Sequence, residues 1–200
     1  MIGRTARTSS VFAVSITFWT STAFAHTEGG LAHGIWHGLE HPISGWDHLL
    51  AMVAVGLWGA FLGRQAMLLL PIVFPAVMAA GAGLAIAGIT IPAVEIGIPA
   101  SAIVLGLAVA LAMQPPFWIA ATIVGAFAIF HGHAHGAEIP AATNPLAYAI
   151  GFLTATVVLH WIGIALGLLT HWDAGRVAVR TSGVVIAIIG VVFLSRSLGA

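Results

Sequence analysis

The stretch H-P-I-S-G-W-D-H-L-L-A-M-V-A-V-G-L-W-G, His41 to Gly59, decides how this chain is read. Asp47 and His48 stand directly before an apolar run, Leu49 to Leu62, that carries no charge. Pro42 suits a first helical position, where its missing N–H would be unpaired anyway. The spacing therefore predicts a membrane helix that begins near Pro42 and takes a carboxylate and an imidazole into the bilayer. An ionisable group inside a span costs roughly 2.5–3.5 kcal/mol on insertion scales, so it points to function. His41 lies seven residues before His48, nearly two helical turns, and shares its face if the helix begins that early.

Working outward, the whole composition supports a membrane protein. Of 200 residues, 60% are hydrophobic and 6% charged, and mean hydropathy is +1.08. The expected fold class is all-α: a polytopic six-helix transmembrane bundle behind a cleaved signal peptide. Ten histidines against six Arg and six acidic residues point to metal or proton chemistry. The absence of Cys excludes thiolate metal sites and disulfides. The absence of Lys excludes a phosphate-binding G-x-x-x-x-G-K-[ST] loop, and no basic patch for nucleic acid is present.

Residues 1–25 read as the signal peptide. Arg4 and Arg7 precede a short apolar stretch, Val11 to Trp19, and Ala23-Phe24-Ala25 fits the small-x-small cleavage rule. Cleavage there would leave His26 as the N-terminus, with an amine and an imidazole to chelate a metal. Residues 26–42 form a His-rich periplasmic arm in which His33, His37 and His41 recur every four residues. Gly34 and Gly38 weaken a helix there, so a mobile arm or an interfacial segment is expected. Residues 43–200 form the transmembrane domain, with spans near 43–63, 66–89, 95–114, 116–136, 146–169 and 177–197. Gly132 with Gly136, and Gly163 with Gly167, are small-xxx-small pairs that let helices approach closely. With the mature N-terminus periplasmic, Arg64, Arg176 and Arg180 fall on the cytoplasmic side and only Arg196 outside, as the positive-inside rule asks.

That orientation brings the start of the first span and the end of the fourth to the same outer face. The fourth ends in F-H-G-H-A-H-G-A-E, Phe130 to Glu138. His131, His135 and Glu138 project from one helical face; His133 points elsewhere. His160 lies about 15 residues into the fifth span, roughly 22 Å along it, deeper than either cluster. Thr156, four residues earlier, could share its face. These donors suit a first-row divalent cation in a nitrogen-rich site.

At these residues the chain resembles the HupE/UreJ family of nickel permeases. The pattern H-P-x-x-G-x-D-H-x-L-x-M-x-x-V-G matches His41 to Gly56, and F-H-G-x-A-H-G-x-E matches Phe130 to Glu138. A less specific one, Y-x-x-G-F-x-x-A-T-x-x-L-H, matches Tyr148 to His160. The resemblance implies a bacterial inner-membrane permease, not an enzyme, that imports Ni²⁺ for hydrogenase or urease maturation. Carried over by position, its metal residues are His41, Asp47, His48, His131, His135 and Glu138; His33, His37 and His160 are candidates for the pathway. Ni²⁺, Co²⁺ or Zn²⁺ would be cargo, with no permanent cofactor. The expected partners are the metal ion and the lipid bilayer, with no nucleic acid and a homo-oligomer left open. Asp47 and Glu138 could exchange protons for metal. Two other readings stay on the table. One is an intramembrane zinc-dependent hydrolase, although no H-E-x-x-H occurs and Ser44 is the only serine beside the clusters. The other is a haem protein with axial histidines from two helices.

Overall fold

A computed structural model describes residues 30–140 and 143–199. The predicted signal peptide and His26 lie outside these residues. Among the described residues the chain forms seven α-helices and a short 3-10 turn, with no strand. They are α1 (Leu31–Ser44), α2 (Trp46–Leu62), α3 (Arg64–Ile86), α4 (Val94–Ala110), α5 (Phe117–Ala137), α6 (Pro145–Gly167) and α7 (Asp173–Ser197); the 3-10 turn, Leu168–His171, follows α6.

The six expected spans correspond to α2 through α7, but their lengths differ. Among the described residues, four helices are long and apolar enough to cross a membrane alone: α3, α5, α6 with its 3-10 turn, and α7. Helices α2 and α4 have 17 residues each, about 26 Å, short of a ~30 Å hydrocarbon core. Joined to α1, α2 becomes a fifth candidate, bent by 81° at Gly45.

The break at Gly45 corrects the reading of the opening stretch. Pro42 is not a first helical residue; it is buried in the last turn of α1. Its missing N–H removes a hydrogen bond from that turn, and Gly45, in extended conformation, ends the helix three residues later. Trp46 then starts a new helix with Asp47 in its first turn, where the positive end of the helix dipole favours a carboxylate. His41 and His48 therefore sit on two helices, not on one face of a single helix.

Residues 31–44 are likewise helical rather than a loose arm. Gly34 and Gly38, expected to weaken the helix, are buried against α6. A Cβ on Gly38 would run into the Tyr148 carbonyl, and one on Gly151 into that of Ile35. Packing outweighs the roughly 1 kcal/mol that a glycine costs a helix. Similar seams join α2 to α6 at Gly56 and Gly163, and α4 to α7 at Gly106 and Gly183. The α3–α5 seam closes where Gly132 meets Met78 and Gly136 meets Ala82.

The core between these seams is built from Met52, Trp58, Leu70, Phe74, Met78 and Leu105. Large apolar residues such as Ile72, Ile150, Val158 and Ile188 face outward, as lipid-facing helices require. Trp58 reaches across to donate its indole N–H to the Met113 carbonyl at 2.8 Å, just past α4. Trp58→Phe leaves that carbonyl without its donor and is expected to lower stability by about 1–3 kcal/mol. A thermal unfolding comparison in detergent checks this.

Candidate metal centre

Helices α1, α2 and α5 converge at one end of the bundle and bring their histidines together. His48 on α2 lies against both α5 histidines, with ring centroids 4.7 Å from His131 and 4.1 Å from His135. His41, on α1, also approaches His135, with centroids 4.8 Å apart. The break at Gly45 makes this possible: it puts His41 and His48 on separate helices, and both reach His135.

Two donor groups result, each with ligand atoms mutually within 4.8 Å. The inner group is His48, His131 and His135, all buried; the outer is His41, His135 and Glu138. His135 belongs to both. Glu138, the residue capping α5, holds its Oε2 3.3 Å from His41 Nε2 and 3.7 Å from His135 Nδ1. The carbonyls at the C-terminal end of α5 add partial negative charge favourable to a cation.

Asp47 stands behind this arrangement rather than in either group. Its Oδ1 accepts from the His48 backbone N–H at 3.0 Å and from His48 Nδ1 at 2.9 Å. A carboxylate bonded to one imidazole nitrogen fixes the other as the free lone pair and raises its basicity. That other nitrogen, His48 Nε2, is buried and without a partner. His131 Nδ1 and both nitrogens of His135 are also buried and unpaired. Buried imidazole nitrogens ordinarily find hydrogen bonds; four orphaned atoms in one cluster make it a candidate for metal coordination.

The remaining candidates are placed as follows. His133 turns away and meets the Ile89 carbonyl at 2.9 Å. His33 and His37 lie together on α1, rings edge to face at 4.3 Å, outside the two groups. His160 is fully buried with neither nitrogen paired. Between it and the inner group lies Phe74, whose ring centroid is 5.2 Å from His160 and 5.7 Å from His131. Thr156 does not serve His160; its hydroxyl donates to the Phe152 carbonyl. An apolar cavity between α3, α5 and α6, lined by Met78, Ala82, Tyr148 and Phe152, reaches His135.

Ser44 is not the serine that matters: it donates to the His41 carbonyl. Chain adjacency misses Ser101 on α4, which is fully buried and 2.9 Å from His131 Nε2. Its signal is faint but present, since Ser101 and Glu95 are the only polar side chains in α4.

Comparison with known proteins agrees with these motifs. The family model described as HupE / UreJ protein matches residues 14–193. The chain belongs to the HupE/UreJ family. It is also 46% identical, over 173 residues, to Protein HupE of Rhizobium leguminosarum bv. viciae, a match covering 86% of this chain and 91% of the relative. No solved structure matches. With its apolar helices, this HupE/UreJ chain is a multi-pass membrane protein, and both groups, Asp47 and His160 fall inside the matched region.

Proposed function

We propose that the chain is a permease that carries Ni²⁺, or a similar divalent transition metal, inward across a bacterial inner membrane for metalloenzyme maturation. One observation carries this reading: His48, His131 and His135 converge from two helices on a buried cluster in which four nitrogens lack protein partners, and His41 of a third helix adjoins it. Neutral imidazoles suit Ni²⁺ and its neighbours, and Glu138 adds one harder donor on the outer side. A single tight cage would suit a resident metal. Two overlapping groups sharing His135 suit an ion handed from one to the other.

The order of transfer follows burial. His33 and His37 gather the ion on the surface of α1, the outer group accepts it, and the inner group takes it into the bundle. Phe74 separates that point from His160, the next unpaired imidazole inward. The six-span topology with a periplasmic N-terminus is part of this proposal. It is supported by Arg64, Arg176 and Arg180, which sit at the helix ends opposite the cluster, against Arg196 at the cluster's own end.

The test is uptake of radioactive Ni²⁺ into cells with and without the chain in their membranes. Accumulation that rises with its abundance is the expected result. Uptake equal to that of cells without it would remove nickel import.

A further inference from the structure

Ser101 and His131 share one hydrogen bond whose direction can be decided. Ser101 Oγ lies 2.6 Å from the Ile98 carbonyl and 2.9 Å from His131 Nε2. A serine hydroxyl has a single proton to donate. If it pointed at His131, two oxygens would face each other at 2.6 Å with no hydrogen between them, in a place without exposure to solvent. The proton therefore lies on the short O–H···O line to Ile98, within the usual range for such bonds. Oγ is left to accept, and His131 Nε2 must donate.

We propose that Ser101 is a positioning residue for metal binding: its side chain holds His131 in the Nε2–H form, so that Nδ1 is the nitrogen offered to a divalent cation. That nitrogen is buried, has no protein partner and belongs to a residue of the inner group. The arrangement mirrors the one at His48. There Asp47 engages Nδ1 and leaves Nε2 free. The inner group thus presents Nε2 from α2 and Nδ1 from α5, each fixed by a partner on the far side of its ring. Ligand imidazoles held this way keep their orientation without a metal, and outer partners of this kind typically matter 10–100-fold in affinity. Helix α4 contributes no ligand to either group, yet through Ser101 it enters the centre.

The metal half of this inference rests on the proposed cargo; the orientation of His131 does not. The experiment uses the full chain, labelled with ¹⁵N-histidine and purified metal-free in detergent. Nitrogen–proton correlation spectra show which nitrogen of His131 carries hydrogen, the signals being assigned by their loss in His131→Gln. The expected wild-type form is Nε2–H. In Ser101→Ala that single form gives way to a mixture, and Ni²⁺ affinity by titration calorimetry falls about 10–100-fold. Ser101→Thr, which keeps the hydroxyl, retains the form and avoids the loss of affinity expected with alanine. Nδ1–H on His131 in the wild type would overturn the proposal, as would unchanged Ni²⁺ affinity in Ser101→Ala. Should the alanine variant not fold, the wild-type spectrum and the threonine variant still decide. A wild type showing Nε2–H but binding no Ni²⁺ would overturn the cargo and the metal half together and leave the orientation standing.

Discussion

Uptake of Ni²⁺ should fall to the level of cells lacking the chain when His135 is replaced by alanine, at unchanged abundance in the membrane. His135 is the one residue in both donor groups. Without it, the inner group keeps two imidazoles and the outer keeps His41 with Glu138. Losing an outer partner of a metal ligand costs about 10–100-fold, and losing a ligand that serves two consecutive positions costs more. The change also opens a hole at a buried position, and large-to-small core changes cost about 2–5 kcal/mol. His135→Asn, closer in volume, separates that effect from loss of the imidazole and should be as inactive. His133→Ala is the contrast. Only two residues away, it bonds the Ile89 carbonyl rather than either group, and its loss should leave most uptake intact. Substantial transport by a well-folded His135→Asn chain would remove the cluster from the route.

The second large effect is expected from Gly132→Val. Gly132 sits between His131 and His135 and faces α3, and even a Cβ there would overlap the Met78 carbonyl. Backbone cannot swing aside as a flexible side chain can, so α3 and α5 must separate. Overpacking of this kind typically costs 1–3 kcal/mol, occasionally more, and lowers the unfolding midpoint by roughly 2–12 °C. Because the two flanking histidines ride on the same turns, Ni²⁺ affinity should drop with stability. Gly83→Ala, whose added Cβ would meet nothing within 4 Å inside α3, should leave affinity unchanged and the midpoint unchanged or slightly raised. Equal midpoints for Gly132→Val and wild type would contradict the tight α3–α5 seam.

Much of this centre is legible in the sequence because its candidate donors come as local patterns. His131 and His135, four apart on one helix, need only the helical period to be paired. Asp47 and His48 announce themselves by sitting at the mouth of an apolar run. The turn at Gly45 is less legible. Pro42 reads as a helix start as readily as a helix end, and the choice depends on α6 being there for Gly34 and Gly38 to pack against. For the same reason, glycines that look like weak points in α1 are its contact face. The role of Asp47 is not fixed by spacing alone, since a carboxylate next to a histidine can bind an ion or brace the ring. Ser101 stands out locally only as a lone polar residue within an apolar helix; its pairing with His131, thirty residues away, is brought about by the bundle alone.

The seam between α1 and α6 also bears on how the protein comes into being. The first described helix packs on one of the last, so on a growing chain α1 must wait for most of the protein to be made. At ~5–20 residues per second, that delay is on the order of 5–20 s. During it His41 has no final position, and His48 faces an α5 not yet synthesised. A chain stopped before α6 would contain every residue of both donor groups but would lack the surface that seats His41. The centre is completed by a helix that supplies none of its donor residues, so assembly of the outer group should report that the chain has been made through α6.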